Sequence, residues 1–198
     1  MNNFDSLDWN KQGGLLPAII QNANTLQVLM LGYMNREALA ATQKDRQVTF
    51  YSRSKQRLWK KGETSGHVLS VISIEADCDN DTLLIQAIPA GPTCHLNRAS
   101  CFEAAPENFI GKLDALLEQR QQAMPEGSYT TKLFQSGVRR IAQKVGEEGV
   151  ETALAAVAQD EKDLLNEASD LVYHLMVLLR SRSLNWNAVQ ENLKQRHQ

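Results

Sequence analysis

The sequence predicts two consecutive domains: a small, strand-rich α/β domain over residues 1–108 and an all-α helical bundle over residues 109–198. Apolar residues recur with period two before Pro106 and with helical spacing after it. All three cysteines, Cys78, Cys94 and Cys101, fall in the first 101 of 198 residues. A chain of this length suits two small domains.

The first half begins with short apolar runs at 16–20 and 26–31. The turn residues Asn22-Ala23-Asn24 separate them and mark two strands. Asn35 has the character of an N-cap for a short helix over 36–43, with Glu37 in its first turn. Residues 47–52 alternate around Val48 and Phe50 and are read as a strand. Two further strands, 67–74 and 82–88, flank an acidic segment at 77–81 and form a candidate hairpin. Beyond residue 108, Leu113, Leu116 and Leu117 follow helical spacing. Pro125-Glu126-Gly127 is a break. A long helix is expected over 134–158, weakly interrupted by Gly137, Gly146 and Gly149. A second is expected over 164–180, apolar enough for burial on several sides, and a short amphipathic helix over 186–195 ends the chain.

Apolar residues make up 42% and charged residues 22%, with a formal net charge of −2. That balance argues against a nucleic-acid partner. The polar first residues lack the apolar core of a signal peptide. The longest apolar run, 171–179, is too short to span a bilayer. The expectation is a cytoplasmic protein, and three sparse cysteines do not make a disulfide framework.

Three groups of residues in the first half can carry chemistry. Asp77-Cys78-Asp79-Asn80-Asp81 sets three carboxylates at alternating positions. The segment is either a solvated acidic turn or a site for a hard divalent cation. An EF-hand is excluded, because its glycine position is Thr82 and its closing glutamate position is Ile88. Cys78, Cys94 and Cys101 are either buried free thiols or three ligands of an open zinc site. In a regular strand Cys78 would point away from Asp77 and Asp79. Either the backbone turns there, or Cys78 meets a metal completed by a second subunit. His95, next to Cys94, is a candidate general acid or base. The stretch Ser52-Arg53-Ser54-Lys55-Gln56-Arg57-Leu58-Trp59-Lys60-Lys61-Gly62-Glu63-Thr64-Ser65-Gly66-His67 is a solvated basic loop or a phosphate-binding one. Arg53, Ser54, Arg57, Lys61, Thr64 and Ser65 would supply donors, and Trp59 would stack on a base or pack.

These motifs, with Gly91-Pro92-Thr93-Cys94-His95 and Ser100-Cys101-Phe102, resemble phosphoribosyl-AMP cyclohydrolase over about residues 16–102. The resemblance implies hydrolytic opening of the N1–C6 bond of the adenine ring. It also implies Zn²⁺ on Cys78, Cys94 and Cys101 and Mg²⁺ on Asp77, Asp79 and Asp81. The family's compact α/β domain dimerises and draws zinc ligands from both subunits, which would resolve the position of Cys78. Carbon C6 of a purine alkylated at N1 is electrophilic, so attack by zinc-bound hydroxide would parallel the zinc deaminases. His95 would move the proton.

The second half contains Glu148 and Glu151, and Glu167 and Asp170, each pair at i, i+3 and so on one helix face. One such pair alone reads as surface charge. Two faces meeting in a bundle would gather four carboxylates and call for divalent metal. Lys144 and Arg140 lie one and two turns upstream of Glu148, and His174 one turn beyond Asp170. The patterns Arg140-Ile141-Ala142-Gln143-Lys144-Val145-Gly146-Glu147-Glu148-Gly149-Val150-Glu151 and Asn166-Glu167-Ala168-Ser169-Asp170-Leu171 resemble phosphoribosyl-ATP pyrophosphohydrolase over about residues 113–198. That resemblance implies Mg²⁺-dependent release of pyrophosphate, with Glu148, Glu151, Glu167 and Asp170 as ligands, Glu147 as a fifth acid, and Arg140 and Lys144 on the substrate.

The product of the second reaction is the substrate of the first, so the two resemblances imply one bifunctional homodimeric enzyme of histidine biosynthesis. Residues 1–15 and the 102–112 connector match weakly. Two other readings remain at this level: a zinc-stabilised binding module joined to a helical dimerisation domain, and a house-cleaning nucleotide pyrophosphatase. The latter leaves the cysteines idle.

Overall fold

The computed structural model describes residues 4–11 and 13–197. The chain divides into two compact units, Met1–Asn108 and Phe109–Gln198.

The first unit is built on a four-stranded sheet of order β2-β1-β6-β5. Strands β1 (Leu16–Asn22) and β2 (Val28–Met34) form an antiparallel hairpin. The turn between them closes with Leu26 in the left-handed region, so β2 starts later than its apolar run. Alternation along β1 buries Leu16, Ala18 and Ile20. Asn35 caps helix α1 (Arg36–Asp45), its side chain accepting from the Ala38 N–H at 2.8 Å.

Strands β5 (Leu69–Ala76) and β6 (Leu83–Pro89) pair antiparallel, and β6 lies parallel to β1. A bulge between Val71 and Ser73 shifts the phase of β5: Leu69, Val71 and Ile74 are buried while Ile72 faces out. The Arg46 guanidinium secures the bulge by donating to the carbonyls of Val71 and Ile72, both at 2.9 Å.

One strand is absent from the sequence reading. Residues 53–56 turn β3 (Thr49–Ser52) back onto β4 (Arg57–Lys60), giving a separate two-stranded sheet. The basic stretch read as one loop is therefore half hairpin. Its charge masked the signal, because only Leu58 and Trp59 give β4 apolar character. Trp59 stacks on Phe50 with ring centroids 5.7 Å apart.

The second unit consists of α2 (Phe109–Ala123), α3 (Tyr129–Ala158), α4 (Glu161–Ser181) and α5 (Trp186–Arg196). Helix α3 begins five residues before the periodic pattern, on a Ser128 cap. Gly137, at φ 81° and ψ 167°, breaks it into two segments, whereas Gly146 and Gly149 lie within regular helix. A side-chain-bearing residue would be strained at that φ. Asp160 caps α4, accepting from the Asp163 N–H at 2.9 Å. Leu117, Leu133, Ile141, Met176 and Val177 form the core. Asp114 on α2 accepts two hydrogen bonds from Arg180 on α4, at 3.0 and 2.7 Å, and a longer one from the Trp186 N–H that starts α5.

Candidate active sites

In the first unit, residues 77–81 form the turn between β5 and β6, so the backbone does reverse at Cys78. Asp77 Oδ1 accepts from the N–H groups of Asp81 and Thr82 at 2.9 and 3.1 Å, and Asn80 takes a positive φ. Asp77, Asp79 and Asp81 each bring one oxygen within 4.8 Å of the others. Lys11 reaches into this group and pairs with Asp79 at 2.6 Å and Asp81 at 2.5 Å. The ammonium holds the Asp81 carboxyl below its ordinary value. A divalent ion would have to displace it.

The cysteines divide. Cys94 and Cys101 interact through their thiols. Among the described residues the three cysteines do not converge on one point, and Cys78 stands exposed. One chain by itself therefore lacks the three-thiolate site read from the sequence. Cys94 is buried, and the Leu96 N–H donates to its sulfur at 3.5 Å. That N–H holds the Cys94 thiol below its ordinary value, and the Arg98 guanidinium and the Cys101 thiol act in the same direction. Burial pushes the Cys101 thiol up.

Beside Cys94 opens a cleft of about 320 Å³. Trp59, Lys61, Thr64, Ser65 and His95 line it, as do Glu63 and His67. Lys61 is only 9% exposed and lines this cleft, and its charge acts on the Cys101 thiol. His95 is exposed, with Nδ1 3.9 Å from Cys94 Sγ. Arg53, Ser54 and Arg57 are not among the residues that line this cleft. Arg53 lies over the Tyr33 ring at 3.8 Å, and Ser54 faces Ser52. Arg57 pairs with Glu63 at 2.7 Å and so touches only the rim.

Sequence reasoning missed His67. A Cβ on Gly91 would sit 2.6 Å from His67 Cδ2, and one on Gly62 (φ +87°) 2.6 Å from the His67 carbonyl oxygen. The two glycines let the imidazole lodge at the cleft wall. Its signal was the pair Gly62 and Gly91, which are distant in sequence.

In the second unit, Glu148, Glu151 and Glu167 place one oxygen each within 4.8 Å of one another. Glu148 is buried, and Lys144 bonds its Oε1 at 2.7 Å. That contact holds the Glu148 carboxyl below its ordinary value. Burial pushes the Glu151 carboxyl up, helped by the charges of Glu148 and Glu167. Glu147 stands apart from the trio and is taken by Lys144 at 3.0 Å, Arg140 at 3.3 Å and Gln143 at 2.8 Å. Asp170 also lies outside the trio. It lines a cleft of about 460 Å³ with Tyr129, Lys144, Glu148, Tyr173 and His174.

The family model of phosphoribosyl-AMP cyclohydrolase matches residues 30–103, and that of phosphoribosyl-ATP pyrophosphohydrolase matches residues 110–197. The chain is 64% identical to the histidine biosynthesis bifunctional protein HisIE of Xanthomonas axonopodis pv. citri, covering 98% of this chain and 94% of that one.

The chain belongs to the bifunctional histidine-biosynthesis family.

The proteins of the same name from Salmonella typhimurium and Escherichia coli are 60% and 59% identical, each over 97% of this chain and 96% of their own. Members of this family join a cyclohydrolase half to a pyrophosphohydrolase half, and the chain has both activities. The strand-rich unit matches the cyclohydrolase and the helical unit the pyrophosphohydrolase. No helix among the described residues is long and apolar enough to cross a membrane.

Proposed function

We propose that both reactions depend on divalent metal, each at its own carboxylate or thiolate cluster, in a cytoplasmic homodimer. The observation that carries this reading is the convergence of Glu148, Glu151 and Glu167. Three carboxylates so close repel unless a cation lies among them; the Glu151 carboxyl is raised by burial first and then by the charges of Glu148 and Glu167. Magnesium there would neutralise substrate phosphates and orient water. Lys144 and Asp170 border the cleft that would receive the polyphosphate.

In the cyclohydrolase unit, zinc held by Cys94 and Cys101, with Cys78 of a second copy, would supply hydroxide at neutral pH. The donor chemistry fits: Cys94 is biased toward its thiolate. Lys61, Thr64 and Ser65 bind a substrate phosphate, and Trp59 borders the base. His95 carries a proton between the attacking oxygen and the departing N1. Magnesium on Asp77, Asp79 and Asp81 requires Lys11 to move aside.

A second copy also explains the helical unit. Val150, Leu154, Val157 and Leu165 are 57–87% exposed on α3 and α4. Apolar faces of that kind mark association surfaces.

Metal removal tests the reading. Chelation is expected to abolish both reactions, with magnesium alone restoring pyrophosphate release and zinc required for ring opening. Sedimentation of the reloaded protein is expected to give twice the chain mass. Full turnover in chelator, or a monomer under active conditions, contradicts the proposal.

A further inference from the structure

His174 in the pyrophosphohydrolase unit is buried at 4% exposure and has a partner on each ring nitrogen. Nδ1 lies 2.8 Å from the Asp170 carbonyl oxygen. A carbonyl only accepts, so Nδ1 carries the proton. Nε2 lies 2.9 Å from the Tyr129 hydroxyl, which donates to it when Nδ1 carries the ring proton. The same Nδ1 stands 3.6 Å from Glu148 Oε1, the oxygen that Lys144 holds. Tyr129 comes from the segment of α3 before Gly137, Glu148 from the segment after it, and His174 from α4.

We propose that Tyr129 locks His174 in its Nδ1–H tautomer and that this imidazole orients the Glu148 carboxylate toward the divalent cation. Both are positioning residues of the pyrophosphohydrolase site. The opposite tautomer would set a lone pair against both the Asp170 carbonyl and the Glu148 carboxylate. Partners of this kind behind a ligand tune metal affinity more than they contact substrate. The inference rests on Glu148 facing metal.

The test uses the full chain and two readouts. In Asn the amide nitrogen replaces Nδ1, whereas in Gln it replaces Nε2. His174→Gln is expected to weaken apparent Mg²⁺ affinity in pyrophosphate release by about 10–100-fold. His174→Asn is expected to recover most of that loss, and kcat at saturating Mg²⁺ falls less than affinity in both. Tyr129→Phe, at a half-exposed position, guards against a folding defect, and its Mg²⁺ affinity is expected to fall. ¹⁵N-imidazole spectra of the metal-free protein are expected to show His174 protonated at Nδ1, with Tyr129→Phe mixing the tautomers. An Nε2–H tautomer in the unaltered protein, or equal Mg²⁺ affinity for the Asn and Gln variants, overturns the proposal. Unchanged pyrophosphate release without any divalent ion would instead overturn the metal reading beneath it, whatever the spectra show.

Discussion

The residue that concentrates most of the chemistry is Glu148. It is buried, paired with Lys144, adjacent to His174, and one of three converging carboxylates. Lys144 depresses its folded-state pKa below the value of about 4.5 in the unfolded chain. Its contribution to stability is therefore present above that pH and lost as pH falls through the folded value. In metal-free protein, Glu148→Gln is expected to lower the urea midpoint at pH 7 and to leave little difference at pH 3. An equal gap at both pH values would show that the charge is not the stabilising feature. The i, i+3 spacing made Glu148 and Glu151 legible, because a helix sets such residues on one face. Lys11 was not legible against Asp79 and Asp81, nor Tyr129 against His174. Those pairs are separated by tens of residues, and only tertiary structure joins them.

Among the elements, α3 and α4 do most to assemble the pyrophosphohydrolase site. Their spacing exposed them in the sequence, but the start of α3 did not, because the first five residues, Tyr129-Thr130-Thr131-Lys132-Leu133, carry little apolar period. Strand β4 was hidden for a different reason: a charged edge hairpin resembles a loop when its partner is unknown. The helices are fastened by a mostly buried ion pair. Asp114 on α2 holds Arg180 on α4 and the start of α5. Removing one partner of such a pair leaves a buried charge, so Asp114→Ala is expected to destabilise the helical unit by about 3 kcal/mol. Thermal unfolding followed by helical circular dichroism checks this. A change below about 1 kcal/mol, the range of exposed pairs, would show the bridge to be incidental.

For the whole molecule, two units in one chain perform consecutive hydrolyses. The unit boundary at Asn108 and Phe109 coincides with the switch from period-two to helical patterning. The cysteines belong entirely to one unit and the converging glutamates to the other. Among the described residues the three thiols do not meet within one chain, and their spacing in the sequence does not say so. The central claim is that the two reactions occupy separate side-chain clusters. Its most direct measurement follows phosphoribosyl-ATP consumed by the Cys94→Ala protein with metals present. Pyrophosphate and phosphoribosyl-AMP are expected to accumulate in equal amounts, and added Glu148→Gln protein, inactive on phosphoribosyl-ATP by itself, is expected to open the accumulated ring. A folded Cys94→Ala protein that releases no pyrophosphate, or one that still opens the ring, would contradict the account.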